Sequence, residues 1–174
     1  MSEHAEQFTT HLEALKARDR GALAALRHSL AFEPGSYPKA FPYVERFAGA
    51  AAHERDARRL ALYAVAGLFA RHPQQASQSF ATALGKLLRR RGSASIEGRF
   101  IALLGADAEN IVEYLRQGVS LLDAEGVGCD YVRLLDDLSH WMNPTADPGR
   151  LRQRWARDFY RAAQAPTAET TDTE

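Results

Sequence analysis

The sequence predicts an all-α fold, a single compact bundle of about seven or eight helices. Three observations predict it. Apolar residues recur at helical spacing along most of the chain, no stretch alternates cleanly between apolar and polar, and residues suited to cap helices stand where the apolar runs begin. The 174 residues, 45% hydrophobic and 25% charged, suffice for one core. Residues 1–164 are read as that helical domain, and 165–174, APTAETTDTE, as an acidic, disordered tail.

Taken in order, the periodic sets are Leu23, Leu26 and Leu30; Leu84, Leu87 and Leu88; Ile96, Phe100, Leu103 and Leu104; Ile111, Leu115 and Leu122; and Leu134, Leu135, Leu138 and Trp141. Between the first two lies LALYAVAGLFA, residues 60–70, apolar on every side. It is about half as long as the ~20 residues a membrane span needs, so it is expected to be a buried central helix. Asp19, Ser95, Asp107 and Asp130 are the expected N-caps, and Asp147 is expected to cap a last helix that has Pro148 at its first position. Residues 32–42, FEPGSYPKAFP, contain three prolines and a glycine and should form an irregular connector with at most a short helix. RHPQQAS and EGVGCD read as turns. Trp141 and Trp155 sit at core spacing and are read as packing residues rather than base-stacking ones.

Catalytic and metal-binding patterns are incomplete wherever they begin. HERDA opens like a zinc-protease helix, but Ala57 stands where a second histidine is required, which leaves His53 an ordinary surface histidine. Ser36 and Lys39 have serine-lysine spacing without the partner motifs that chemistry needs. GVGCD lacks the preceding strand and third glycine of a dinucleotide site. Asp136 and Asp137 are adjacent, point about 100° apart on a helix, and are read as a solvated face. Cys129 is the only cysteine, which rules out an internal disulfide or a cysteine-built zinc site and fits a reducing cytosol. The opening MSEHAEQFTTHLEALKA has no basic and apolar regions of a secretion signal. The expectation is a cytoplasmic, non-enzymatic chain with no cofactor, no metal, no membrane association and no small-molecule substrate.

Charge is the informative feature. Lysines and arginines number 22 and so do aspartates and glutamates, yet they are segregated. Residues 79–100 carry five basic side chains and one acidic, residues 150–161 again five and one, and residues 101–149 two basic against nine acidic. Arg150, Arg154, Arg157 and Arg161 fall on an arc of about 60° of a helix, with Leu151, Trp155, Phe159 and Ala162 on a second arc about 125° away. That helix can dock by one side and present guanidinium forks, suited to phosphate oxygens, on another. Lys86, Arg89 and Arg90 repeat the arrangement, although Arg89, Arg90 and Arg91 also fit the dipole of a helix C-terminus. Arg55, Arg58 and Arg59 crowd a helix N-terminus, where cations are disfavoured and an external anion would help. Arg133, with Asp136 and Asp137, and Arg116, with Glu113, are read as intrahelical pairs. Cations on several helices suit a nucleic-acid backbone, gripped without base readout. From charge alone, a helical adaptor for acidic proteins fits equally.

SLAFEPGSYPKAFPYVERF (29–47), GSASIEGRFIALLGAD (92–107) and DYVRLLDDLSHWM (130–142) resemble, in order, segments of CasB, the small subunit of the type I-E CRISPR surveillance complex Cascade. The likeness runs from about residue 25 to residue 161 and rests on the ordered combination of the proline-rich loop and the GSAS turn. It implies a non-catalytic helical subunit, present as two copies beside the guide RNA and target DNA. Its partners would be the large subunit, the guide-RNA backbone subunits and a second copy of itself. By resemblance, Arg27, Arg99, Arg116 and the helix from Arg150 to Arg161 take the family's basic positions, while Gly98 departs from the pattern. The full expected contact set is Arg27, Arg55, Arg59, Lys86, Arg90, Arg99, Arg116, Arg150, Arg154, Arg157 and Arg161.

Overall fold

The structure, a computed structural model, describes residues 1–50 and 52–166. Among these, nine α-helices follow one another: α1 Glu3–Arg18, α2 Arg20–His28, α3 Phe41–Ala48, α4 Ala57–Arg71, α5 Phe80–Arg91, α6 Ala94–Leu104, α7 Ile111–Glu125, α8 Tyr131–Trp141 and α9 Gly149–Gln164. Short 3-10 turns occupy Ser29–Ala31 and Pro38–Ala40. The all-α expectation holds, with α1 and α3 beyond the periodic sets. α1 buries Ala5, Phe8, Thr9 and Leu12 and α3 buries Val44, stripes too narrow to stand out in the apolar pattern. Most of the tail assigned to 165–174 lies outside the described residues.

The apolar segment 60–70 is indeed the centre. Every residue of α4 from Ala61 to Ala70 is buried, and α1, α2, α3, α7 and α8 pack around it. Asp56 caps its start by accepting the Arg58 and Arg59 backbone N–H groups at 3.0 and 3.1 Å. Asp19 and Asp130 cap α2 and α8 as expected. Ser93, not Ser95, takes the cap position of α6. Asp107 closes the turn ahead of α7 by accepting the Asn110 N–H at 2.9 Å. α9 begins one residue later than expected, at Gly149, whose N–H donates to Asp147 Oδ1 at 2.9 Å. The connector 32–42 is irregular apart from the turn at Pro38–Ala40 and the start of α3.

The most extensive helix contact joins α5 to α9. Ser79 Oγ donates to Asp158 at 3.2 Å, Phe80 meets Trp155, and the Arg89 guanidinium donates to the Ala162 and Ala165 carbonyls, each at 3.1 Å. The pairs advance together, so the two helices run in the same direction. Gly85 makes the approach possible, since a Cβ there would stand 2.2 Å from the Phe159 carbonyl oxygen. Trp141 and Trp155, 2% and 3% exposed, are core residues as expected.

Histidines seal the seam between α1 and α3. His11 Nε2 donates to the Tyr43 carbonyl at 2.8 Å, which leaves Nδ1 to accept from Arg46 at 2.9 Å. The neutral ring is thus the bonded form. Burial, opposed by the Tyr43 carbonyl and reinforced by Arg46, lowers the His11 pKa below its ordinary 6.5. His4 is lowered as well, by burial and then by Arg58.

Gly85→Ala should destabilise the fold by about 1–3 kcal/mol despite the higher helix propensity of alanine, because α9 must move off α5; urea denaturation measures it. Both imidazoles have pKa values depressed on folding, so their contribution is present above pH 6.5 and lost as pH falls through the lowered values. The melting temperature should therefore decline between pH 6.5 and about 5, and less steeply in His11→Gln, whose amide satisfies both partners without titrating.

Candidate nucleic-acid interface

The contacts of α5 and α9 decide which cations stay open. On α5, Gly85 and Arg89 face α9, while Phe80 and Leu84 meet Gly118 of α7. Lys86 and Arg90 lie about 100° and 140° from Gly85, on the remaining side. On α9, Trp155, Phe159 and Ala162 face α5, and Phe159 and Tyr160 meet Phe100 and Glu97 of α6. Arg150, Arg157 and Arg161 take its remaining side. Because the two helices run the same way, these open sides coincide, turned away from α6 and α7. Lys86, Arg90, Arg150, Arg157 and Arg161 are all exposed there, and none is in an ion pair among the described residues. Lys86 donates to the neutral Gln78 side chain at 2.7 Å, which leaves its charge uncompensated.

Arg154, of the same sequence stripe, is occupied. It pairs with Asp137 of α8, which also accepts the Trp155 indole N–H at 2.8 Å. Asp137 is thus an internal anchor, not part of a solvated face, and Asp136 accepts from the Ser2 backbone N–H and hydroxyl at 2.8 and 2.6 Å. With both carboxylates engaged elsewhere, the expected pairing of Arg133 is not formed. Arg59 is deeper still, at 9% exposed. Its Nε and one terminal nitrogen donate to Glu45, each at 3.0 Å, and the other terminal nitrogen donates to the Glu54 carbonyl at 2.9 Å. That fork holds the Glu45 carboxyl below the ordinary carboxylate range. The Arg59 charge is therefore neutralised from α3, while Arg55 and Arg58 are exposed and in no ion pair among the described residues. Arg91 pairs with Glu125, and Arg89 caps the C-terminal carbonyls of α9 rather than extending the open cations.

A second group lies on the other flank. Arg99 of α6 and Arg116 of α7 line one open depression with Glu113, Gln117, Ser120 and Leu121. Arg116 donates to the Leu30 carbonyl at 3.4 Å and is in no ion pair with Glu113. Arg27, exposed on α2, donates through Nε to the Ala70 carbonyl at 3.3 Å. Arg55 stands apart, exposed in the turn before α4. The expected residues thus fall into two groups, with Arg55 apart from both, Arg59 buried against Glu45 and the half-exposed Arg154 paired with Asp137. Arg152, outside the expected set, reaches the Ala106 carbonyl at 2.8 Å and lies over the Trp141 ring at 5.4 Å. Its position on the wheel, about 20° from Phe159 at the far edge of the apolar arc, is the signal that distinguishes it from the stripe.

A family model for CRISPR-associated protein Cse2 matches residues 22–160. The chain belongs to that family. A Cse2 protein of Thermus thermophilus is 40% identical over 173 residues, which is 97% of each chain. The crystal structure of a Cse2-family protein from Thermus thermophilus superposes with a TM-score of 0.77 at 43% identity, covering 92% of this chain and 99% of that one. A chain of a solved CRISPR RNA-guided surveillance complex has the same fold, with a TM-score of 0.79 at 22% identity over 92% of this chain and 94% of that one. In this Cse2 chain no group of three or more His, Cys, Asp and Glu that could hold a metal stands among the described residues. The Cys129 thiol is buried, and desolvation pushes its pKa up to about 12, which keeps it a protonated, inert thiol.

The division into open and structural arginines is testable by stability. Asp137→Ala, which strands the Arg154 guanidinium and the Trp155 N–H, should cost about 1–3 kcal/mol in urea denaturation. Arg157→Ala should change stability by less than about 0.5 kcal/mol.

Proposed function

We propose that this Cse2-family chain is the non-catalytic small subunit of a type I-E CRISPR surveillance complex, Cascade. In that role it grips nucleic-acid backbone and stabilises the R-loop. The observation that carries this reading is the surface of Lys86, Arg90, Arg150, Arg157 and Arg161, five exposed cations with no acidic partner among the described residues, in a chain with as many acids as bases. Like charges held this close repel one another until a polyanion screens them. The likeness to chains of CRISPR RNA-guided surveillance complexes, one of them in a pre-nicking state, supports the same assembly role.

Guide RNA, target DNA and the displaced strand share one ligand chemistry, a spaced row of phosphates. Arginine forks can each span two phosphate oxygens, and the contact carries no base information. Sequence is read by pairing between guide and target. Exchange of the DNA duplex for the RNA–DNA hybrid is nearly balanced, so a few phosphate contacts on the opened strands suffice to tip it. No bond is made or broken by this chain. The large subunit, the guide-RNA backbone subunits and a second Cse2 copy complete the channel in this reading. Arg27, Arg99 and Arg116 then form its other wall.

Anisotropy titration of single-stranded and duplex DNA over a salt series tests the surface. Arg157→Glu with Arg161→Glu should lower the log–log salt slope by roughly 0.7 to 0.9 per lost phosphate contact. Gly98→Lys should raise the slope, since a side chain added at Gly98 meets nothing within 4 Å and stands beside Arg99. An unchanged slope in the double variant removes the α5–α9 surface from the site. Capture of acidic proteins without any DNA binding replaces the whole reading with a protein adaptor.

A further inference from the structure

Three aromatic rings stand together at the start of the proline-rich connector: His28, Phe32 and Tyr37. Phe32 is 47% exposed although it is a large apolar residue. Its ring stacks on Tyr37 with centroids 4.8 Å apart and planes 12° from parallel. His28 leans on both, at 5.7 Å from Phe32 and 5.2 Å from Tyr37. Tyr37 therefore covers one face of Phe32, and the opposite face meets solvent.

The loop that presents these rings is fixed. Gly35, at φ +79, makes a turn that side chains other than glycine resist, and a Cβ there would collide with Arg59 at 2.5 Å. Arg59 donates to the Gly35 carbonyl at 3.4 Å while its fork is clamped on Glu45, and Tyr63 donates to the same carboxylate. Ser36 Oγ closes back on the Glu33 carbonyl at 2.7 Å, and Pro38 restricts Tyr37 to extended backbone. The rings are ordered before any ligand arrives, so binding costs them little entropy. Around them the charge is mixed in sign but richer in cations: Arg27 precedes His28, Lys39 follows Tyr37 by two residues and Arg116 is tied to Leu30, against Glu33 in the loop, Glu113 beside Arg116 and Glu45, whose charge is paired with Arg59.

We infer that Phe32, backed by Tyr37 and flanked by His28, is a stacking platform for an unpaired nucleobase of a single strand whose phosphates lie against Arg27, Arg116 and Lys39. An open aromatic face beside cations is the arrangement with which single-strand binders hold bases without reading them. A duplex, whose bases are stacked on one another, has no face to offer. The platform adds strand selectivity to the proposed phosphate grip and rests on that reading.

The test uses the full chain with a short single-stranded DNA carrying one 2-aminopurine and with the same strand made abasic at that position. Wild type should quench the 2-aminopurine and bind the base-containing strand more tightly. Phe32→Ala should lose the quenching and bind that strand about 5- to 150-fold more weakly, with abasic-strand affinity and salt slope unchanged. Phe32→Trp should keep both. Equal wild-type affinity for the two strands, or equal loss on both in Phe32→Ala, overturns the platform while the salt-dependent phosphate reading stands. Unchanged quenching and affinity in Phe32→Ala overturn it too and leave the rings to a partner protein's side chain. Absence of any salt-dependent binding by wild type sinks the phosphate reading and the platform with it.

Discussion

The fold depends on one constraint: α4 has no polar side. Ten consecutive buried residues, Ala61 to Ala70, give it nothing to turn toward water, so it must be enclosed from every direction. α1, α2, α3, α7 and α8 supply the enclosure. Small residues in α4 let these helices come close, and the charged side chains of the enclosing helices are displaced to their outer surfaces. α5, α6 and α9 are then added against α7 and one another. That outer layer carries ten of the 22 basic residues against two acidic ones, Glu97 and Asp158.

Within this arrangement the same residue type has three uses. Arg59, at 9% exposed, is a structural cross-link whose donors go to Glu45, Glu54 and Gly35. Arg89 and Arg152 spend their donors on carbonyls at the ends of other helices. Arg90, Arg157 and Arg161 keep theirs in solvent. What separates the classes is the distance to an unsatisfied acceptor. A guanidinium has five donors and a long reach, so it takes any carbonyl or carboxylate the packing leaves within range, and those left without one keep their donors in solvent.

The same distinction governs which parts are legible in the sequence. The central helix, the core tryptophans and the Asp19 and Asp130 caps are local facts, set by residues a few positions apart, and they read directly. Ser93 takes the cap that Ser95 could equally fill, because both are good caps in a loop of small residues, and only the packing of Ile96 and Phe100 selects the start. The ionic partners are not legible. Asp137 lies 17 residues before Arg154 and Glu45 lies 14 before Arg59, separations at which no spacing rule applies. Likewise, the helical wheel of α9 isolates the stripe, but it cannot reveal that α5 runs parallel beside it. The junction at Gly85 does that, by bringing Lys86 and Arg90 onto the side shared with Arg157 and Arg161.

The most instructive displacement is that of Arg59. Positive charge at the start of α4 suggests a demand for an external phosphate, because a helix N-terminus already carries partial positive charge. For Arg59 the fold answers that demand internally by setting Glu45 of α3 against the guanidinium, while Arg55 and Arg58 stay exposed, and the pair then has a further use. With its fork fixed by Glu45, Arg59 has a donor remaining for Gly35, which pins the turn of the proline-rich loop. A cation that the sequence assigns to the binding surface instead sets the shape of the segment from which Phe32 and Tyr37 project. Rigidity in an exposed loop needs such an anchor, since backbone turns without buried partners fluctuate. The ion pair lets two aromatic rings remain stacked in water with one face uncovered.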